Sequence, residues 1–169
     1  MGARYSLELY EAQTGKILSG FSGKVLAEKA DQERNIKILG LKALHRSRSL
    51  LLILAEKSYG AFTPQTGWEE EQVYLLRSFD LITRQARTVV KRKRRILDVA
   101  VSPDERFALL VLEGGLAEWI ALGDGLELSS FHGEQEFRCC AFTADGGSVC
   151  LGDMGGGLTV LSLDNFELI

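Results

Sequence analysis

Five consecutive cations, Lys91-Arg92-Lys93-Arg94-Arg95, form the densest run of charge in the chain. Such a run suits contact with nucleic-acid phosphates, an acidic protein surface or an import receptor. It equally suits a turn between two sheets, where like charges are tolerated because they stay wet. Arg46, Arg48, Arg84 and Arg87 would enlarge the patch if their loops converge on it. No aromatic residue interleaves the run, so base stacking is not indicated. Trp68 stands beside Glu69-Glu70-Glu71, and a tryptophan in a loop is an anchor for a protein interface. Lys91, Arg92, Lys93, Arg94, Arg95 and Trp68 are therefore the candidate contact residues.

The other reactive side chains do not assemble into a site. Cys139 and Cys140 are neighbours in an apolar run, so on a strand they point to opposite faces. Cys150 is placed to meet one of them from the next strand. No Cys-x-x-Cys spacing is present for zinc, and His132 is the one nearby imidazole. Packing thiols inside a sheet are the expectation. Gly152-Asp153-Met154-Gly155-Gly156-Gly157 lacks the Gly-Lys-Ser/Thr ending of a phosphate loop and opens no helix, so it reads as a hairpin turn. His45 and His132 are the only histidines, and no Gly-x-Ser-x-Gly elbow occurs. Nothing fixes the geometry of Glu69-Glu70-Glu71 or shifts a pKa there. No catalytic, metal or cofactor residue is assigned, and no small-molecule substrate is expected.

At 169 residues the chain is about one domain long. Its 46% hydrophobic and 25% charged residues are ordinary for a globular protein and exclude disorder over the whole length. A net charge of -3 excludes a dedicated nucleic-acid-coating protein. Apolar runs such as Leu50 to Ala55 fall far short of the roughly 18 residues of a spanning helix. No secretory leader opens the sequence, so no membrane contact is expected. Three cysteines cannot form a closed disulfide set, which fits a reducing, cytoplasmic compartment.

The elements that must position these residues are short apolar runs punctuated by glycine, the pattern of strands joined by tight turns. From Ile96 one unit is written twice. Ile96–Val101, a Ser102-Pro103-Asp104-Glu105 turn, Phe107–Leu112, a Glu113-Gly114-Gly115 turn, Leu116–Leu122 and Leu126–Phe131 make the first copy. Phe137–Phe142, a Thr143-Ala144-Asp145-Gly146 turn, Ser148–Leu151, Leu158–Leu163 and Phe166–Ile169 make the second. Asp104 and Asp145 are 41 positions apart, and Gly115 and Gly157 are 42 apart. Four strands at this period are the signature of a propeller blade. Pro103 suits the second position of a type I turn, and Gly114-Gly115 suits a two-residue hairpin.

These residues resemble the WD-repeat family. The two Ser/Thr-x-Asp turns match its first turn, and Trp119, followed by Ile120, matches its Trp-Asp position. Leu161 holds that place in the last unit. The family's Gly-His dipeptide is absent, since His132 precedes Gly133. Tyr5 to Leu18, with Tyr10-Glu11 in the Trp-Asp place, is similar to a third strand, turn and fourth strand. A middle unit reads Ile36–Leu44, Leu50–Ala55, Val73–Phe79 and Ala86–Val90, with Phe79-Asp80 in the Trp-Asp place. Glu56 to Gln72 is then a long hairpin loop, and Lys24 to Asn35 a long connection.

The expected fold is all-β. Antiparallel four-stranded blades over 4–23, 36–91, 96–131 and 137–169 form a single partial or small β-propeller of about three and a half blades. An open arc leaves an apolar sheet face at each end, plus unpaired edges. Three covers are conceivable: the first two strands completing the last blade in a small four-bladed ring, a second copy or different chain closing a larger ring, or an unrelated protein docking. An assembly is the favoured reading. The expected function is a non-catalytic protein-interaction scaffold or structural subunit with a protein partner or self-association. The alternative is a nucleic-acid-associated accessory subunit using Lys91 to Arg95.

Overall fold

The computed structural model describes residues 6–22, 36–63 and 67–164, and every regular element among them is a β-strand. The strands are β1 (Ser6–Tyr10), β2 (Ile17–Ser22), β3 (Ile36–Leu44), β4 (Ser49–Thr63), β5 (Gly67–Asp80), β6 (Ala86–Arg92) and β7 (Ile96–Val101). They continue with β8 (Phe107–Leu112), β9 (Leu116–Ala121), β10 (Glu127–His132), β11 (Phe137–Phe142), β12 (Ser148–Asp153) and β13 (Leu158–Ser162). They form antiparallel sheets in the orders β1-β2, β3-β4-β5-β6, β10-β9-β8-β7 and β11-β12-β13. Each sheet is a meander, so tight turns alternate between two ends. The turns at 45–48, 81–85, 102–106, 122–126 and 143–147 share what we term the lower end. The connections at 93–95, 113–115, 133–136 and 154–157 share the upper end.

The three larger sheets repeat one plan. The first strand of each carries a register irregularity at the same place: Ile38/Gly40, Ile96/Asp98 and Phe137/Cys139. The sheets stack face to face, which explains the unbroken apolar runs. In β8, Ala108, Leu110 and Leu112 pack towards the β3–β6 blade with Leu51, Ile53 and Leu76. The alternate residues Leu109 and Val111 pack towards the β11–β13 blade with Phe137, Val149, Leu151 and Leu161. A strand covered on both faces must be apolar at every position. The blade β3–β6 has the same two-sided burial, with Leu50, Leu52, Leu54, Val73, Leu75 and Phe79 on its other face.

The repeated turn has one chemistry in both copies. The Ser102 hydroxyl donates to Asp104 Oδ1 at 2.6 Å and accepts from Phe107 N at 3.0 Å. Thr143 does the same with Asp145 at 2.6 Å and Ser148 N at 3.0 Å. Asp104 and Asp145 each then accept the N–H two residues on. Gly146 takes the left-handed backbone that ends this turn at φ 75°, and Glu105 takes it in the other copy at φ 59°.

Several sequence expectations are corrected. Glu56 to Gln72 is not a loop: β4 and β5 run on as a paired hairpin through Lys57↔Gln72, Tyr59↔Glu70 and Phe62↔Trp68 to Thr63↔Gly67. Pairing that starts on the buried root propagates outwards, because ladder bonds do not depend on apolar side chains. Trp68 is accordingly a strand residue. Lys91 and Arg92 also belong to a strand, β6, opposite Leu75 and Tyr74. Glu113-Gly114-Gly115 is a three-residue loop, since Leu112 pairs with Leu116, with φ of 86° and 76° at its glycines. The strands β1 and β2 pair with each other in their own sheet and do not extend β11–β13. The connection Lys24 to Asn35 and the final strand Phe166–Ile169 lie outside the described residues.

Candidate functional site

The blade β11–β13 buries one face only. Phe137, Val149, Leu151 and Leu161 lie against β8 and β9. The register puts Cys139 beside Gly152 and Leu158, and Ala141 beside Cys150 and Val160, all on the opposite face. There Leu158 is 71% exposed and Cys139 is exposed. Small and apolar side chains therefore pave a sheet face that no described element covers. The cysteines divide as strand geometry requires, but only Cys140 is a packing thiol. It donates to Leu109 O at 3.6 Å, and burial, with the Asp98 charge second, pushes it far above the usual thiol range. Cys139 and Cys150 share the uncovered face, which corrects the expectation that all the thiols sit in a blade interior.

Lys91 to Arg95 lies at the upper end, and the structure splits it. Arg92 reaches across to the neighbouring blade, with Nε 2.7 Å from Glu118 Oε2 and Nη2 3.9 Å from Glu127 Oε2. Arg94 donates to the Glu113 carbonyl at 3.5 Å. Lys91, Lys93, Arg94 and Arg95 are exposed. The other arginines do not join them. Arg46, Arg48, Arg84 and Arg87 belong to the lower end, a full strand length away. There Arg87 donates to Gly123 O at 2.7 Å and Leu122 O at 3.1 Å, tying two blades together. Trp68 sits on the projecting hairpin at the upper end, opposite Phe62.

The lower end holds a cleft of about 760 Å³ between the first two large blades, lined by Asp80, Arg87, Glu105, Arg106 and Phe107 among others. Its carboxylates Asp80 and Glu105 already have partners. Asp80 Oδ1 accepts the N–H groups of Ile82 and Thr83, both at 2.8 Å. Those bonds, Thr83 foremost, hold its carboxyl below the usual range. Burial pushes Glu105 up, but the N–H groups of Arg46 and Ser47, at 2.7 Å and 2.8 Å, outweigh it and hold the carboxyl down. The Ser102 and Thr143 hydroxyls, with backbone N–H groups second, lower Asp104 and Asp145. These four carboxylates are thus fixed as ionised acceptors, the opposite of what a general acid requires. Among the described residues no group of three or more His, Cys, Asp or Glu could hold a metal ion. No helix among them is long and apolar enough to cross a membrane.

Sequence reasoning missed the polar ties between blades, because each joins residues remote in sequence. Asp98 is the central one. Its Oδ2 accepts Cys140 N of β11 at 3.0 Å, and its Oδ1 lies 3.5 Å from Lys42 Nζ of β3. One carboxylate on β7 therefore touches the first strands of both neighbouring blades. Arg77 is a buried tie within its own blade: its side chain is 2% exposed, 3.9 Å from Glu56 of β4 and 3.1 Å from the Thr88 hydroxyl of β6. Trp119 stacks on Phe107 at 5.3 Å and tilts against Phe142 of the next blade at 5.4 Å.

Sequential four-stranded meanders stacked face to face, with first strands gathered about a shared centre, define a partial β-propeller. Comparison with solved structures agrees. The chain is similar to the Myceliophteria thermophila Cps50 (Swd1) beta-propeller domain at TM-score 0.58 and 10% identity, over 78% of this chain and 37% of that one. It is similar to a chain of a mitotic checkpoint complex at 0.63 and 14%, over 95% and 43%. It is also similar to Kuenenia stuttgartiensis hydrazine synthase at 0.59 and 14%, over 78% and 34%. The chain thus spans between 34% and 43% of the length of the chains it matches. No family model matches the sequence, and no curated protein sequence matches it.

Proposed function

We propose that this chain is a non-catalytic protein-interaction scaffold, or a structural subunit of a larger assembly, whose open blade face is covered by a sheet of another chain. The uncovered face of β11–β13 carries this reading. Its exposed apolar side chains sit where the blades β3–β6 and β7–β10 each meet the next blade, and leaving such a face wet costs about 25 cal/mol for each Å². The lowered carboxylates support a non-catalytic role, since Asp80, Asp104, Glu105 and Asp145 are all ionised structural acceptors. The likeness to propeller structures supports the scaffold, because rigid stacked blades hold loops and faces in fixed positions for binding.

Paired charge substitutions on that face test the reading. Leu158→Glu with Val160→Lys leaves the packed face of the blade untouched, so thermal unfolding should stay close to wild type. Proteins captured from native extract by the wild-type chain and identified by mass spectrometry should be lost selectively from the variant. Capture of the same set by both would overturn the assignment of this face.

A further inference from the structure

The blades β3–β6 and β7–β10 meet differently from β7–β10 and β11–β13. The register irregularities align the two interfaces: Gly40 pairs with Ile53 where Asp98 pairs with Val111. Further down the ladders, Leu51↔Ser78 matches Leu109↔Trp119, and Ser49↔Asp80 matches Phe107↔Ala121. Likewise Val101↔Ala108 matches Phe142↔Val149. Ser78, not Phe79, therefore holds the place of Trp119. At the second interface Trp119 stacks on Phe107 and tilts against Phe142, so aromatic rings occupy its lower end. At the first interface the same positions are Ser49, Ser78 and Val101.

The cleft of about 760 Å³ lies where those rings are missing, and Ser49 and Ser78 line it. Above it, Ile53 and Leu76 close the same interface against Leu110 and Ile120. Leu44, Leu51, Val89 and Leu122 give the cleft an apolar floor. Two ties fix the blades across it. The Glu105 carboxylate accepts Arg46 N and Ser47 N, and the Arg87 guanidinium donates to Leu122 O and Gly123 O. The cleft is thus formed before any ligand arrives, and its volume falls within the roughly 300–1,000 Å³ of small-ligand pockets. Three of its charged groups, Asp80, Glu105 and Arg87, are already engaged by backbone groups. What the cleft lacks is apolar volume rather than a counter-ion.

We propose that the cleft receives an aromatic side chain, best a tryptophan, from a partner protein, in the place that Trp119 takes at the next interface. The proposal rests on reading the chain as a protein-interaction scaffold, but uses a surface separate from the β11–β13 face. The inserted ring meets Leu51 on one blade and Leu122 on the other, and removes from water apolar area of the kind that Trp119 covers at its own interface. A buried indole N–H needs a hydrogen-bond acceptor, and the Ser78 hydroxyl on the cleft wall supplies one. A large ring seated in a preformed pocket is the kind of anchor that carries much of the binding energy of an interface.

The test is a titration of the isotope-labelled chain with N-acetyl-tryptophanamide, read from its backbone amide resonances. The amides of Ser47, Thr83 and Gly123, which border the cleft, should shift at millimolar probe. N-acetyl-leucinamide should bind about tenfold more weakly, and N-acetyl-lysinamide no better than that. Ser49→Phe with Ser78→Trp installs the missing rings, so it should melt no lower than wild type and abolish the shifts. No shift, shifts away from these amides, a lysine probe as tight as the tryptophan one, or shifts that persist in the folded double variant overturns the proposal. The wild-type titration needs no variant, so it decides even if the double substitution fails to fold. Proteins captured by the chain with no probe bound overturn the proposal and leave the scaffold reading intact. A bound probe with no protein captured overturns the scaffold reading and, with it, a partner as the source of the ring.

Discussion

At Glu105 two opposing effects meet in one residue. Its backbone sits at φ 59°, where the matching turn of the next blade has Gly146. A left-handed conformation costs a non-glycine residue about 1–2 kcal/mol. Its carboxylate offsets that by accepting Arg46 N and Ser47 N from the neighbouring blade. Glu105→Ala keeps the strain and loses the clamp. Chemical denaturation should show it less stable than wild type by about 1 kcal/mol, the modest value expected for a partly solvated site. Glu105→Gly loses the clamp but relieves the backbone, so it should be about 1 kcal/mol more stable than Glu105→Ala. At Asp98 the two contacts differ in weight. The Lys42 pair, 46% exposed on the lysine side, is worth little. The bond to Cys140 N is partly buried, and its loss leaves an unmatched N–H at about 1–3 kcal/mol. Lys42→Ala should therefore change stability by less than about 0.5 kcal/mol, and Asp98→Ala by about 2 kcal/mol. Asp80, Asp104, Glu105 and Asp145 all titrate below their usual range. Their folded values lie under the unfolded ones of about 3.9 for Asp and 4.3 for Glu. The stability they add is complete above those values and is lost as pH falls through the folded ones. Melting temperature should fall on acidification into that window, less steeply in Glu105→Gln.

Within the elements, patterning decided what could be read in advance. Phe107 to Leu112 is apolar at nearly every position because neighbouring sheets cover both its faces, and Leu50 to Ala55 because both of its faces are buried. That made the strands, the turn at Ser102 and the repeat legible. Lys57 to Gln72 has three adjacent glutamates and no alternation, because its strand state is inherited from the paired root. No composition signal marks that kind of extension. The place of Arg77 is equally hidden, since Leu-Leu-Arg-Ser-Phe looks like a strand with one solvent-facing charge, yet the guanidinium is buried beside Glu56. Replacing 57–72 by a two-residue Asn-Gly turn removes only pairing beyond the blade body. The melting temperature should move by no more than a few degrees. A loss of cooperative folding would show instead that the arm belongs to the core.

Taken whole, the molecule is a stack of sheets with one side finished differently from the rest. Each pair of stacked blades shares a continuous apolar layer and several polar ties, among them Asp98, Glu105, Arg87 and Arg92. The face of β11–β13 that carries Cys139, Cys150, Leu158 and Val160 has neither among the described residues. The uncovered face has a signature in the sequence. The sign was there in β12, where Val149 and Leu151 alternate with Ser148, Cys150 and Gly152, the pattern of a sheet buried on one side. The native cysteines give the most direct measurement: thiol labelling of the dilute isolated chain under native conditions, resolved by peptide mass spectrometry. The account predicts rapid modification of Cys139, slower modification of the half-buried Cys150, and protection of Cys140 until the protein unfolds. Equal protection of Cys139, Cys150 and Cys140 would mean that the face is sealed and would contradict it.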